Sequence, residues 1–336
     1  MFRQLRPFKF ATLTIALLLT FQAYAFGQDK EKKKKEAPQG TPVLWKDPGD
    51  ISSRDLFLGP GGEEMKPDLS NVTFLKDEVG GYSAGFRVRD AKGNTWVAKL
   101  GKEAQPETAA SRLVWAVGYV TEIHYLFPCV HIQGAPDKNV ERCEGKGFAN
   151  VRFEARPKAY KRQGTIWSWT KNPFTGTKEL KGLIVMMAFL NNWDLKDDNN
   201  KLVYVPGSEG AEGEMHYILS DLGATFGKTG GFLSRSRNDV EDYVKSKFIE
   251  GVEGGRVKFA YSGKNSALFK DITVEDARWV GSLLSKLTDQ QLTDAFRAAN
   301  FTPEQIQMLV GAARARIDQL VNLPGGATAG AHGSSR

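Results

Sequence analysis

Strand-like alternation of hydrophobic and polar residues dominates the first half of the chain, and helical spacing dominates the second. Alternating or apolar runs lie at residues 72–75, 80–88, 95–100, 151–155 and 217–219, most of them next to glycine-containing turns. Helical spacing of apolar residues lies at 106–118, 179–191, 239–249, 273–286, 288–299 and 302–320. The pattern predicts an α+β protein with a β-rich N-terminal part and a helix-rich C-terminal part.

Both ends of the chain differ from this folded body. Residues 1–25 combine a charged start, an apolar stretch and an Ala-Tyr-Ala sequence that ends at Ala25, which are the three parts of a secretory signal peptide. The apolar stretch is shorter than the roughly 20 residues that span a membrane. We therefore expect cleavage near Ala25 and an exported protein, periplasmic or extracellular, without a transmembrane span. Residues 26–45 predict a flexible linker, and residues 324–336 a disordered tail.

The net charge of +7 lies mostly outside the predicted folded body. The first 25 residues carry three cations and no acid, and the lysine-rich run at 29–36 carries five lysines against three acids. The remainder is close to neutral and shows no long basic stripe suited to a phosphate backbone. We therefore expect no nucleic-acid partner.

The chain has two cysteines, Cys129 and Cys143. In an oxidising compartment they can form a disulfide that closes a loop containing Gly134 and Pro136. Two free buried thiols, or a metal site that also uses His131, are the alternatives. We favour the disulfide because the cysteines lack the CxxC spacing that is typical of metal sites.

Five positions carry residue types that suit phosphoryl transfer. Lys99 ends a predicted strand, and Glu107 begins the following helix. Asp194 and Asn199 lie directly after the apolar helix, and Asp221 follows the short strand at 217–219. A lysine can bind phosphates, a glutamate can hold that lysine, and an aspartate can accept a proton from a hydroxyl. Amide and carboxylate oxygens are ligands that Mg²⁺ prefers.

These motifs resemble those of the protein-kinase-like superfamily, in particular atypical members such as HipA-type kinases, spore-coat kinases and secretory-pathway casein kinases. Asp194-Leu195-Lys196-x-x-Asn199 is similar to the catalytic loop D-L-K-x-x-N, and Asp221-Leu222-Gly223 to the metal-binding D-F-G. Val97-Ala98-Lys99 resembles the V-A-I-K strand with one residue missing. The resemblance covers residues 72–235 and implies a bilobal kinase-like fold, with an N-lobe at 46–165 and a C-lobe at 166–323.

The resemblance also implies roles in the catalytic loop. Asp194 would be the catalytic base, and Lys196 would steady the transferred phosphoryl group. Asn199 and Asp221 would hold Mg²⁺ or Mn²⁺. Asn200 is an alternative to Asn199 as the metal ligand.

Nucleotide binding would involve the N-lobe. Lys99 would bind the phosphates of ATP, oriented by Glu107, with Glu122 as an alternative partner for the lysine. The backbone would approach the nucleotide at three glycines, Gly80, Gly81 and Gly85.

Some positions depart from the pattern of typical protein kinases. Asn192 and Trp193 replace the His and Arg that precede the catalytic aspartate, and no A-P-E triplet follows Asp221. The expected function is an exported phosphotransferase that moves the ATP γ-phosphoryl group to an unidentified protein, lipid or sugar acceptor. Because an exported protein would meet little ATP, a non-catalytic kinase-fold binding module of the cell envelope (a pseudokinase) is an alternative. A variant that transfers AMP is another.

Overall fold

The structure is a computed structural model that describes residues 38–78, 83–231 and 233–324. The predicted signal peptide, Gly80, Gly81 and residues 325–336 of the predicted tail lie outside the described residues. The elements below belong to the compact unit that begins at Gln39.

Eleven strands and six α-helices lie within the described ranges. The strands are β1 (Thr41–Val43), β2 (Thr73–Asp77), β3 (Gly85–Arg89), β4 (Thr95–Lys99), β5 (His124–Val130), β6 (Phe148–Ala155), β7 (Lys161–Arg162), β8 (Asn200–Val205), β9 (Glu214–Leu219), β10 (Ile249–Glu253) and β11 (Arg256–Phe259). The helices are α1 (Ala104–Ala116), α2 (Lys178–Phe189), α3 (Val240–Lys245), α4 (Val274–Leu284), α5 (Asp289–Arg297) and α6 (Pro303–Val321). Their order confirms the predicted α+β fold, β-rich first and helical afterwards.

The N-terminal sheet is antiparallel and has the strand order β2-β3-β4-β6-β5. Because side chains alternate along a strand, the sheet has two different faces. One face buries an apolar core that includes Phe86, Trp96 and Phe153. The opposite face carries Lys99 and Arg152, which are register partners on neighbouring strands. Helix α1 packs against strands β5 and β6 of this sheet.

Helix α1 begins at Ala104, two residues before the predicted start at Pro106. Ala109 and Ala110 are fully buried, and their small side chains let the helix approach its neighbours closely. The chain turns at Gly118, which has a φ of +101°. A Cβ at this position would lie 2.3 Å from the carbonyl oxygen of Lys46, so both the backbone conformation and the available space require glycine.

The C-terminal part combines a buried helix with capped surface helices. Helix α2 is buried along most of its length, which agrees with its apolar sequence, and Thr177 caps its first turn. Helices α4, α5 and α6 each begin with a capping box in which a threonine and the third residue of the helix bond reciprocally. Among the described residues, no helix is long and apolar enough to cross a membrane.

A second sheet, with strand order β1-β9-β8-β7, requires two corrections to the predicted boundaries. Residues 41–43, expected in the flexible linker, form β1 and pair in parallel with residues 214–216 of β9. Gly40, which favoured a linker, instead permits close packing, because a Cβ there would lie 2.7 Å from the carbonyl oxygen of Gly213. Residues 161–162, expected in the N-lobe, pair with β8 of this second sheet.

The predicted disulfide between Cys129 and Cys143 is confirmed. It joins β5 to the loop before β6, and a Cβ at Gly147 would lie 2.7 Å from the Cys143 sulfur. The bond therefore leaves neither cysteine available as a metal ligand.

We predict that replacing both cysteines with serine lowers the free energy of unfolding by about 3 kcal/mol, because the unfolded chain regains the entropy of an open loop. Urea denaturation of the double variant measures the change, with the reduced native chain as the matched control. An unchanged midpoint in both samples would contradict a structural role for the bond.

Candidate active site

A cavity of about 540 Å³ brings five of the predicted site residues together. They are Lys99 from the end of β4, Asp194, Lys196 and Asn199 from the segment after α2, and Asp221 from the segment after β9. These side chains come from three separate stretches of the chain. The cavity therefore brings these five side chains together, while Glu107 and Gly85 are not part of its lining.

Lys99 is held at the edge of the cavity by the register of the sheet. Gly85 on β3 lies directly opposite Lys99, and Arg152 lies opposite it on β6. A Cβ at Gly85 would lie 3.3 Å from the carbonyl oxygen of Ala98, so glycine gives the two strands room here. Gly85 is not among the residues that line the cavity. Its predicted contact with a nucleotide stays a prediction, and Gly80 and Gly81 lie outside the described residues.

Glu107 is the carboxylate that lies next to Lys99. Its Oε2 atom is 3.6 Å from the Lys99 ammonium and 3.0 Å from a guanidinium nitrogen of Arg152. Only 1% of Glu107 is exposed. Burial raises the pKa of Glu107 to about 7, and the neighbouring Arg152 and Lys99 oppose that rise.

The alternative partner, Glu122, contacts other groups. It forms an ion pair with Arg162 and accepts a hydrogen bond of 2.9 Å from the hydroxyl of Ser220. The geometry therefore pairs Lys99 with Glu107.

A buried polar network lies behind this pair. Arg152, which is fully buried, also contacts His124 and Glu154. Burial lowers the pKa of His124 well below its ordinary value, so the imidazole is neutral. Arg152 was not among the residues predicted from the sequence, because its position opposite Lys99 depends on how strands β4 and β6 pair.

Asp194 is placed by the way helix α2 ends. Asn191 adopts a left-handed conformation, with φ of +53°, and ends the helical path. The side-chain oxygen of Asn192 then accepts a 3.1 Å hydrogen bond from the Asp194 amide. Asn192, at the position where the resemblance would place a histidine, thus orients the backbone of the aspartate.

Two ammonium groups flank the Asp194 carboxylate. Lys196 lies 3.0 Å from Oδ2, and Lys264 lies 2.7 Å from Oδ1. Burial alone would raise the pKa of Asp194, but the interactions with Lys264 and Lys196 outweigh it and lower the pKa. The carboxylate is therefore ionised at neutral pH and able to accept a proton. Lys264 was not predicted from the sequence, because it lies 70 positions after Asp194.

Asn199 and Asp221 supply oxygen atoms suited to a hard divalent cation. The Asn199 amide nitrogen donates to the carbonyl oxygen of Asp194 at 2.6 Å, which leaves its own carbonyl oxygen for a cation. One Asp221 oxygen accepts from the Gly223 amide at 3.2 Å. Asn200, the alternative ligand, is fully buried and donates to the carbonyl oxygen of Trp167, away from the cavity.

This donor set fits Mg²⁺ or Mn²⁺ bound together with a phosphate. Within the described residues, no group of three or more His, Cys, Asp or Glu side chains is arranged to hold a metal ion. Mg²⁺ commonly takes one or two protein ligands and completes its shell with water and phosphate oxygens. Asn199 and Asp221 match that mode of binding.

Trp193 anchors the segment that follows Gly223. The guanidinium groups of Arg235 and Arg237 lie 4.0 and 4.7 Å from the centroid of the indole, and the indole nitrogen donates to the carbonyl oxygen of Ser236 at 2.9 Å. Arg237 also forms an ion pair with Glu103. Trp193 thus holds this segment against the cavity.

Comparisons with known proteins found similarity to solved structures but no match in sequence. No family model matches the chain, and no curated protein matches it in sequence. The chain is similar to a solved structure of the Helicobacter pylori proinflammatory kinase CtkA, with a TM-score of 0.45 and 12% identity over 76% of this chain and 97% of that one. It is also similar to the Golgi casein kinase with Mn/ADP bound, with a TM-score of 0.35 and 9% identity over 95% of this chain and 92% of that one. Both of those proteins are described as kinases.

We predict that Arg152→Met lowers the free energy of unfolding by about 3–5 kcal/mol, because it leaves Glu107 and Glu154 buried without their shared cation. Denaturant titration measures the loss. Arg89→Met, at an exposed position of the same sheet, is the matched control and should change stability by less than about 0.5 kcal/mol. Equal losses of stability for the two substitutions would contradict a stabilising role for the buried ion pairs of Arg152.

Proposed function

We propose that the protein is an exported ATP-dependent phosphotransferase that uses Mg²⁺ or Mn²⁺. The observation that carries the proposal is the convergence of Lys99, Asp194, Asn199 and Asp221 on one cavity. Phosphoryl transfer requires alignment and charge neutralisation rather than covalent catalysis, and these residue types provide both.

The lining of the cavity has an excess of positive charge, which suits the negatively charged phosphates of a nucleoside triphosphate. Its lining carries six lysine and arginine side chains against four aspartate and glutamate side chains. Lys99, backed by Glu107 and Arg152, would bind the nucleotide phosphates. Asn199 and Asp221 would hold the metal ion, which neutralises phosphate charge when it is bound.

Asp194 and Lys196 would act on the transferred group. The acceptor hydroxyl attacks the γ-phosphorus while the bond from that phosphorus to the bridging oxygen of ADP breaks. Asp194 orients the hydroxyl and takes its proton. Lys196, whose ammonium lies 3.0 Å from the Asp194 carboxylate, is close enough to steady the moving phosphoryl group.

The intact set of charged residues favours catalysis over a pseudokinase role. A module that only binds a partner needs neither an ionised aspartate at position 194 nor two oxygen ligands beside it. The disulfide supports the proposed export, because such bonds persist in oxidising compartments. The acceptor is a protein, lipid or sugar hydroxyl. If the protein transfers AMP instead, the product carries an AMP adduct and not a phosphate.

We predict that Mg·ADP stabilises the protein against unfolding by about 2.7 kcal/mol when the nucleotide is present at 100 times its dissociation constant. Asp221→Ala should abolish most of this gain, because a metal ligand is lost. Asp271→Ala, at an exposed position in a short helical turn, is the control and should behave like the native chain. Thermal and urea unfolding with and without nucleotide measure the gain, and the absence of any stabilisation in a folded protein would favour the pseudokinase.

We also predict that Asp194→Asn reduces label transfer from γ-labelled ATP by roughly 10²- to 10⁴-fold, while nucleotide binding is retained, because only the proton acceptor is lost. Mass spectrometry of the product separates a phosphate adduct from an AMP adduct. Transfer at the native rate by the variant would show that Asp194 is not the base.

A further inference from the structure

Three successive residues after β11, Gly263, Lys264 and Asn265, contact the start of the catalytic loop at Trp193 and Leu195. A Cβ at Gly263 would lie 2.7 Å from the Trp193 Cα, so the two backbones approach closely only because this residue is glycine. The amide of Lys264 donates to the carbonyl oxygen of Trp193 at 2.9 Å. The side chain of Asn265 donates to the carbonyl oxygen of Leu195 at 2.6 Å. We call residues 261–265 the loop clamp.

The loop clamp is itself held firmly. The hydroxyl of Tyr261 donates to the carbonyl oxygen of Lys264 at 3.0 Å, and its ring lies 4.2 Å from that of Phe269. The amide of Ala260, just before the clamp, donates to the carbonyl oxygen of Phe248 at 2.9 Å. Because these anchors lie outside the catalytic loop, the clamp fixes the loop from a separate part of the C-terminal region.

The side chain of Lys264 extends this contact to the reacting group. Its ammonium lies 2.7 Å from Oδ1 of Asp194, and the ammonium of Lys196 lies 3.0 Å from Oδ2. Each oxygen of the carboxylate therefore has a cation beside it, one from the same loop and one from the clamp. A carboxylate held at both oxygens keeps a single orientation toward the cavity, and alignment of this kind controls the rate of a transfer reaction.

We propose that Lys264 is a positioning residue, which acts through Asp194 and not through the nucleotide. The proposal rests on the function proposed above, since it assigns a role within that site. Lys264 lines the same cavity as Lys99 and Lys196, so a direct phosphate contact is the competing role. The two roles differ in which kinetic constant they affect.

The test uses the mature protein and MgATP, with hydrolysis and autophosphorylation as measured reactions. Lys264→Met should lower kcat by about 10- to 100-fold and leave the KM for MgATP within about 2-fold of the native value. Lys264→Arg, which keeps a cation near Asp194, should recover most of the activity. Lys258→Met, at an exposed position on β11, is the control and should retain native kinetics. Because 44% of the Lys264 side chain is exposed, we expect its variants to fold.

A double-variant cycle separates action through Asp194 from other effects. In an Asp194→Asn background, Lys264→Met should cause no further loss, because the group that it orients is already disabled. A raised KM with unchanged kcat would overturn the proposal in favour of phosphate binding. A full additional loss in the Asp194→Asn background would also overturn it.

If the native protein turns over no ATP, the proposed function is refuted, but the positioning role of Lys264 can still be tested. Hydrogen exchange provides that test. Amides of residues 192–199 should exchange faster in Lys264→Met than in the native chain or in Lys258→Met, because the loop loses the ion pair that links Asp194 to the clamp. Identical exchange in all three proteins would overturn the positioning role.

Discussion

A buried carboxylate between two cations is the interaction on which the site depends. Glu107 lies in the first turn of α1, while Lys99 and Arg152 lie on adjacent strands, so the three side chains tie the helix to the sheet. Burying a charge is costly unless it is paired, which restricts the helix to positions where both cations reach the carboxylate. The contact with Glu107 also sets where the Lys99 ammonium lies. The packing of α1 against the sheet therefore determines the geometry of the cavity at this edge.

A chain of polar contacts extends from this cluster to the other side of the cavity. Glu154, beside Arg152, pairs with Arg162, which also pairs with Glu122. Ser220 donates to Glu122 and directly precedes Asp221. The lysine and the aspartate of the cavity are thus linked through side chains as well as through the backbone. Charged groups buried in this way favour one arrangement of the elements, because any other would leave charges unpaired.

The sequence predicted those site residues that lie close together along the chain and form a recognisable motif. Asp194, Lys196 and Asn199 lie within six residues, and their spacing suggested their chemistry once it was taken together with Lys99, Glu107 and Asp221. Lys264 could not be found in this way, since a contact across 70 positions depends on tertiary packing and leaves no periodic pattern. The strand at 41–43 was missed for a different reason. Gly40 and Pro42 are residue types that are typical of linkers. Only the pairing of β1 with β9 shows that Gly40 is needed because the two chain segments approach closely there.

The central claim is that Lys99, the aspartate at position 194 and the metal ligands at positions 199 and 221 form one phosphate-transfer site. An ATP derivative with an acyl group on its terminal phosphate tests this directly, because it acylates the lysines that lie beside bound phosphates. Peptide mapping should find the label on Lys99 or Lys196, and excess MgATP should prevent the labelling. Labelling confined to lysines outside the cavity, or labelling that MgATP does not reduce, would contradict the account.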